Sequence, residues 1–128
     1  MQISEEQARV SVKQKWFNKN PFHSIYFAVL SMAAELSTGI LCMSNIYFER
    51  EKISMLVVKI EGVFHKKATG KIIFTCCDGV AIRNIIKDAI ATKDIKTMTC
   101  HSFGKNDHGE TVADFYITWS FKVKGQKF

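Results

Sequence analysis

The run Ile25-Tyr26-Phe27-Ala28-Val29-Leu30-Ser31-Met32-Ala33-Ala34-Glu35-Leu36-Ser37-Thr38-Gly39-Ile40-Leu41-Cys42-Met43 contains one charged residue, Glu35, among apolar, small and hydroxyl residues. Its apolar residues fall on every side of a helical wheel, and such a helix must be surrounded by other structure. Ser31, Glu35 and Thr38 are spaced to form one narrow polar stripe along it. We therefore predict a buried central helix whose single carboxylate faces a partner, a cavity or a substrate.

Two interpretations of Glu35 follow from this position. As a structural acid, it would be hydrogen-bonded by hydroxyl groups or paired with a cation across an interface. As a functional acid, it would serve as a general base or activate a water molecule, a role that suits a carboxylate withdrawn from bulk water. The position alone leaves both interpretations open.

Length and composition predict a single compact domain over residues 1–128, because the chain is 47% hydrophobic and has one proline. The first ten residues are polar and mixed in charge, so we expect no secretory signal and a cytoplasmic protein. The run around Glu35 is almost long enough to span a bilayer. The acid near its centre and the polar strands after it favour a core helix over a membrane span.

The net charge of +6 would suit nucleic acid, an anionic membrane surface or a phosphate-bearing cofactor. The charges are spread along the chain and no glycine-and-aromatic motif of an RNA-binding sheet is present, so nucleic acid is the least favoured partner. The histidines and cysteines also lack the spacing of metal ligands, which predicts no metal site and reduced, buried thiols. They are His23, His65, His101, His108, Cys42, Cys76, Cys77 and Cys100.

Alternation of apolar and polar residues predicts the first strands of a sheet. Residues 10–17 form one strand before the helix. Residues 53–67 form a long, half-buried strand, and residues 72–76 form a shorter one. The intervening turn, residues 68–70, is expected to join these two strands in a hairpin.

The second half of the chain predicts a surface helix and another hairpin. Asp78 is positioned to cap an amphipathic helix in which Ile82, Ile85, Ile86 and Ala89 share the buried face. Residues 95–103 and 111–123 flank a run of turn formers and should pair as a hairpin. Strict alternation in the last strand predicts a paired, central position. The fold class is therefore α+β, with an antiparallel sheet packed against the central helix.

A long hydrophobic helix wrapped by a curved antiparallel sheet, with an extra surface helix between strands, resembles the hotdog fold. Three motifs carry a closer resemblance, to a little-characterised bacterial branch of hotdog thioesterase-like proteins. They are Asn-Pro-x-His at residues 20–23, Tyr-Phe-Ala at residues 26–28 and Met-Ala-Ala-Glu-Leu-x-x-Gly at residues 32–39. Glu35 matches the carboxylate of the better-known thioesterases, whereas residues 26–28 stand where those enzymes have His-Gly-Gly.

The resemblance implies hydrolysis of an acyl thioester, carried by coenzyme A or an acyl-carrier protein, without a metal or redox cofactor. The site would be a tunnel shared between the subunits of a homodimer or a dimer of dimers. Glu35 would attack the thioester or activate water, and His23 would orient the thioester end. The backbone amides of Phe27 and Ala28 would polarise the carbonyl and stabilise the oxyanion.

Four further residues would bind the substrate under the same resemblance: Asn20, Ser31, Lys66 and Lys67. The two lysines end the long strand and would suit the phosphates of coenzyme A. Each residue also has an ordinary interpretation, as a turn residue, a hydroxyl bonded to its own helix or a solvated strand end. The alternative function is a non-catalytic protein that keeps the tunnel for an acyl group or another apolar ligand.

Overall fold

The computed structural model describes residues 1–4, 6–13 and 27–124. The elements follow in the order β1 (Gln2–Ile3), β2 (Ala8–Lys13), α1 (Phe27–Tyr47), β3 (Ile53–Phe64), β4 (Lys71–Cys76), α2 (Gly79–Thr92), β5 (Lys96–Lys105) and β6 (Thr111–Val123). The strands form one antiparallel sheet in the order β1-β2-β4-β5-β6-β3. α1 packs against β2, β4, β5 and β6 on one face of that sheet, and against α2. The α+β class and the curved sheet with its long helix are confirmed.

The predicted hairpin of β5 and β6 is confirmed, and so is the central position of β6. β6 pairs with β5 on one side and with β3 on the other. Its inward side chains, Phe115, Ile117 and Phe121, are almost completely buried. α1 packs on this face of the sheet.

The predicted hairpin of β3 and β4 is wrong. β3 pairs with β6, from Ile53 opposite Val123 to Phe64 opposite Ala113, while β4 pairs with β2 and β5. Residues 65–70 therefore connect the edge strand β3 to β4, which lies between β2 and β5, and do not form a hairpin turn. Alternation specifies which face of a strand is apolar, but it does not specify the neighbouring strand.

β3 is an edge strand and is more exposed than the predicted half-buried strand. Its apolar side chains expose about half of their surface, namely Leu56 51%, Val58 53%, Ile60 47%, Val63 47% and Phe64 48%. The register shifts between Val57 and Lys59, which marks a bulge and changes the alternation along the strand. Within the described part of the chain, the outer edge of β3 has no neighbouring strand.

α1 is not buried on all sides, contrary to the sequence prediction. Leu30, Ala34 and Leu41 lie on a fully buried face, whereas Met32 and Leu36 expose 67% and 46% of their surface. The helix also continues to residue 47, beyond the apolar run that ends at Met43. Its length and hydropathy would allow it to cross a membrane, a test that the core helix of a sheet-and-helix domain also meets. A single chain therefore leaves an apolar stripe of its central helix uncovered.

α2 is the predicted surface helix between strands, with Ile82, Ile86 and Ala89 buried. Asp78 precedes it, but the predicted side-chain cap is wrong because this carboxylate makes no capping hydrogen bond. It accepts the backbone N–H of His101 at 2.8 Å instead. Asp78 thus ties the start of α2 to β5.

Three of the four cysteines are buried, as predicted, while Cys77 is exposed. Cys42, Cys76 and Cys100 bring together α1, β4 and β5. A hydrogen bond with Cys100, and burial, raise the pKa of Cys76. A hydrogen bond with Cys42 likewise raises the pKa of Cys100. The Cys76 and Cys100 thiols therefore stay protonated, and all three buried cysteines act as small core side chains.

A buried pair of hydroxyl groups fixes α1 to β5. The Ser37 hydroxyl donates to the carbonyl oxygen of Ala34 at 2.7 Å. Its oxygen also lies 2.7 Å from the Ser102 hydroxyl, and both serines are fully buried. Since the Ser37 proton is already used, Ser102 must be the donor in the second bond.

This directionality predicts an asymmetric effect of mutation. Ser37→Ala leaves the buried Ser102 hydroxyl without an acceptor, so we expect it to lower the free energy of unfolding by about 1–3 kcal/mol. Ser102→Ala leaves the bond from Ser37 to Ala34 intact and should cost less. The double variant should be more stable than Ser37→Ala alone, as measured by urea unfolding. Equal costs for the two single variants would contradict the assigned donor.

Candidate functional site

Glu35 lies half-buried at the border between the buried and exposed faces of α1. Its backbone is held tightly, because the Thr38 hydroxyl donates to the Glu35 carbonyl oxygen at 2.9 Å. Among residues 1–4, 6–13 and 27–124, its carboxylate makes no hydrogen bond or ion pair. A half-buried carboxylate without such a partner is available for a group that approaches from outside the chain.

Trp119 covers the turn of α1 that follows Glu35. Its indole N–H donates to the Thr38 hydroxyl at 2.9 Å. A Cβ atom at Gly39 would stand 3.1 Å from the indole ring, which explains why the motif after Glu35 ends in glycine. The central strand thus fixes the helix beside the carboxylate.

The other hydroxyl of the predicted polar stripe also bonds to the helix itself. Ser31 donates to the carbonyl oxygen of Phe27 at 2.9 Å. Ser31 and Thr38 therefore follow the ordinary interpretation of hydroxyls in an apolar helix. Thr38 has the additional task of accepting the Trp119 N–H.

Phe27 and Ala28 form the first described turn of α1, and both are exposed. The Phe27 ring packs edge-on against Phe64 with 6.3 Å between ring centroids. Phe64 contacts Phe115 in the same way at 5.5 Å. Aromatic contacts therefore tie the start of the helix to the end of β3 and the core. At a rise of about 1.5 Å per residue, Glu35 lies about 10 Å along the helix axis from Ala28.

The remaining predicted site residues are not gathered around Glu35. Asn20 and His23 lie outside the described residues. Lys66 and Lys67 are exposed beyond the end of β3, and Lys66 forms an ion pair with Glu110. Hydrogen bonds from Lys66 and Asn106 lower the pKa of Glu110. Both lysines thus lie at the edge of the sheet, just beyond the end of β3. The last residue of β3, Phe64, contacts Phe27 at the start of α1.

Several cavities lie elsewhere on the described chain, and Glu35 lines none of these. One, of about 440 Å³, lies between β1, the end of α1 and α2, where Asn45, Phe48 and Arg83 line it. A second, of about 500 Å³, opens on the sheet face that points away from α1. A substrate cavity at Glu35 would therefore need walls that these residues of one chain do not supply.

The second cavity contains a cluster that the sequence did not predict. One oxygen of Asp114 is 2.8 Å from His65 Nε2, and the other is 2.6 Å from His101 Nε2. The His101 ring stacks on Tyr116, with centroids 4.8 Å apart. The alternation of β6 places Asp114 and Tyr116 on the same outer face. His65 joins them only through the pairing of β3 with β6, which the sequence prediction missed.

The two histidines keep Asp114 ionised. Burial opposes its ionisation, but the hydrogen bonds and positive charges of His65 and His101 outweigh it and lower the pKa of Asp114. No three His, Cys, Asp or Glu side chains in the described ranges are grouped so that they could hold a metal ion. The cluster is therefore a charged hydrogen-bonded network on an open sheet face.

Asp114 should make a stability contribution that depends on pH. Because its folded-state pKa is lowered, the contribution is present above the ordinary aspartate pKa of about 4 and is lost as the pH falls through the folded-state value. Asp114→Asn should therefore lower the free energy of unfolding by about 1–2 kcal/mol near neutral pH. The difference from the native chain should shrink toward zero in acid. Urea unfolding measured between pH 7 and pH 2 would reveal a pH-independent difference if the charge were unimportant.

The architecture is the hotdog fold: a curved antiparallel sheet, a long helix on its apolar face and a surface helix between β4 and β5. Among solved structures, it is similar to a protein of unknown function from Pseudomonas aeruginosa, described as a "probable thioesterase". The identity is 21% over 92% of this chain and 77% of that chain, with a TM-score of 0.80. The predicted resemblance to hotdog thioesterase-like proteins is confirmed at the level of the fold.

Two other solved structures show the same likeness at lower identity. A thioesterase from Haemophilus influenzae is 10% identical over 98% of this chain and 78% of that chain, with a TM-score of 0.71. A thioesterase variant from Staphylococcus aureus is 13% identical over 94% of this chain and 89% of that chain, with a TM-score of 0.70. No family model and no curated protein matches the sequence.

Proposed function

We propose that this protein hydrolyses an acyl thioester, with coenzyme A or an acyl-carrier protein as the carrier. The observation that carries the proposal is Glu35, a half-buried carboxylate without a described partner on the central helix of a fold shared with thioesterases. Its neighbours on the exposed face of α1, Met32 and Leu36, are apolar. Such surroundings suit an acyl chain beside an acid.

The active site is shared between two copies of the chain. Ala28 and Glu35 lie about 10 Å apart along one helix, too far for the amide and the carboxylate of one chain to act on the same carbonyl. A second helix running beside the first would bring its Glu35 to that carbonyl. The apolar stripe of α1 and the unpaired edge of β3 are the surfaces that a second copy would cover, giving a homodimer or a dimer of dimers.

The chemistry needs only water and the side chains and amides of the two chains. Glu35 removes a proton from water, whose oxygen attacks the thioester carbon. The amides of Phe27 and Ala28 from the other copy hold the oxyanion. The carbon–sulfur bond then breaks, the thiol leaves with a proton and the acyl group leaves as a carboxylic acid. Neither a metal nor a redox cofactor takes part.

The remaining predicted residues serve the substrate in this proposal. His23 orients the thioester end and Asn20 contacts the substrate. The Ser31 hydroxyl, whose proton goes to the Phe27 carbonyl oxygen, contacts the substrate as an acceptor. Lys66 and Lys67 receive phosphate groups of the carrier. The protein works in the cytoplasm, without a membrane span or nucleic acid.

A second candidate function is binding of an acyl or other apolar ligand without turnover. Phe27 favours it, because a bulky side chain that exposes 67% of its surface stands where the better-known enzymes have glycine at the start of the helix. The two functions share the dimer and the apolar cavity. They differ in whether Glu35 acts chemically.

Glu35→Gln tests the catalytic role. The amide keeps the shape of the side chain but cannot take a proton from water, so hydrolysis of acyl-coenzyme A substrates should fall by about 10²–10⁴-fold. Turnover is followed with a thiol-trapping dye over short, medium and long acyl chains. Asp88→Asn, the same type of change on the exposed face of α2, is the matched control and should leave the rate unchanged.

Hydrolysis that persists in the Glu35→Gln variant would remove Glu35 from the mechanism. If neither the native chain nor the variant hydrolyses any substrate, and native mass spectrometry shows a retained ligand, the second candidate function, ligand binding without turnover, is favoured.

Mixed dimers test whether the site is shared. Ala28→Pro removes the amide N–H of Ala28 in the first described turn of α1, so it should be as inactive as Glu35→Gln. Each mixed dimer of these two variants regains one intact site. An equal mixture should therefore recover about one quarter of native activity. No recovery after complete subunit exchange, checked by native mass spectrometry, would contradict the shared site.

A further inference from the structure

The sheet face that points away from α1 is basic along three neighbouring strands, β2, β4 and β5. Because successive side chains of a strand point to opposite faces, the pairing registers identify which residues point outward. The outward cations are Arg9, Lys13, Lys71 and Lys105, and all four are exposed. None of the other outward positions on these three strands holds an acid. We call this surface the basic face.

The strand registers bring like charges together on the basic face. Lys13 lies directly opposite Lys71. Lys105 lies opposite Ile73, two residues along β4 from Lys71, so the two lysines are diagonal neighbours at about 7–8 Å. Cations in such positions repel one another and destabilise a sheet. An anionic partner would relieve this repulsion.

The cations keep their charge in the contacts that they make. Arg9 donates to the neutral amide oxygen of Gln2 at 3.5 Å. Lys105 Nζ lies 5.6 Å from the centre of the Phe103 ring, which carries no charge of its own. Lys71 forms no ion pair with a described residue. The positive potential of the basic face is therefore directed toward solvent.

Acids around the basic face are few or already paired. Asp107 lies beside Gly70, the residue before β4, and so borders one end of the face. Glu110 is paired with Lys66. Asp114, farther along the sheet, is bonded to two histidines. These acids leave the middle of the basic face positive.

Apolar side chains lie among the cations. Ile73 is half-buried between the strand neighbours of Lys71 and Lys105. Met1, which exposes 71% of its surface, lines a depression of about 170 Å³ together with Arg9, Lys71 and Ile73. Since pockets for small ligands usually measure about 300 Å³ or more, the basic face fits the surface of a larger partner. Cations interspersed with apolar side chains are typical of proteins that lie on a membrane surface.

Nucleic acid fits the same surface less well. Single strands bind by stacking their bases on exposed aromatic rings, but Phe103 lies under Lys105 and the His101 ring is stacked on Tyr116. The grooves of a duplex admit a protruding helix or ribbon, whereas the basic face is the broad side of a sheet. Its apolar side chains would also find no partner along a phosphate backbone.

We propose that the basic face binds the surface of a membrane rich in anionic lipids. Arg9, Lys71 and Lys105 meet the lipid phosphates, and Met1 and Ile73 lie at the boundary with the acyl chains. α1 lies on the other side of the sheet, so the bound protein keeps Glu35 and the apolar stripe of the helix away from the lipid. The inference goes beyond thioester hydrolysis and does not depend on it.

The first test is cosedimentation with vesicles made of equal parts of phosphatidylcholine and phosphatidylglycerol. The native chain should bind at low ionic strength and be released by added salt, which screens the attraction. Lys71→Gln and Lys105→Gln should each weaken binding about fivefold, because each removes one cation from the membrane surface. Lys96→Gln is the matched control: it lowers the net charge equally, but at the far end of β5 and on its other face. It should bind as the native chain does.

Three results would overturn the proposal. One is no cosedimentation of the native chain, and another is an equal loss of binding in Lys96→Gln. The third is retention of polyuridine without binding to vesicles, which would assign the basic face to nucleic acid.

The second test asks which side of the protein meets the lipid. In a Cys77→Ser background, which removes the exposed native thiol, an environment-sensitive dye is attached through Ser11→Cys on the basic face or Asn84→Cys on α2. Binding to the anionic vesicles should shift the emission of the dye at position 11 to the blue and leave that at position 84 unchanged. A shift only at position 84, or at neither position while the chain sediments with the vesicles, would contradict the assigned face.

Discussion

A relay of two hydrogen bonds determines how the central helix sits on the sheet. The buried indole N–H of Trp119 needs an acceptor and finds it in the Thr38 hydroxyl, whose proton goes to the carbonyl oxygen of Glu35. Gly39 lets the ring lie directly against the next turn. The rotation of α1 about its axis is thereby fixed, and Glu35 is held at the border of the buried face.

The same rotation determines what a single chain leaves uncovered. Met32 and Leu36 turn away from the sheet, and the edge strand β3 exposes apolar side chains on a strand without an outer neighbour. Uncovered apolar stripes and strand edges both favour association. In the proposed dimer these surfaces meet their own copies. Glu35 of each chain then lies beside the start of the other chain's α1, whereas the start of its own α1 is about 10 Å away.

The sequence predicted the buried face of β6 well, but it did not predict the exposed stripe of α1 or which strands pair. The strict alternation of β6 indicated its buried side chains, and the apolar run indicated the central helix with Glu35 as its single acid. Alternation does not say which strands pair, so the neighbour of β3 was mispredicted and the meeting of His65 with Asp114 was missed. Asp78 has a residue type and position typical of a cap, yet the N–H of His101, distant in sequence, competes successfully for its carboxylate.

Successive residues at the end of β3 have opposite surroundings, because neighbouring side chains of a strand point to opposite faces of the sheet. Phe64 packs inward on Phe27 and Phe115, while His65 bonds to Asp114 on the polar outer face. β3 is the edge strand of the sheet and has no outer neighbour within the described part of the chain. The residues that tie its end to the start of α1 therefore lie beside the surface that a second copy would cover.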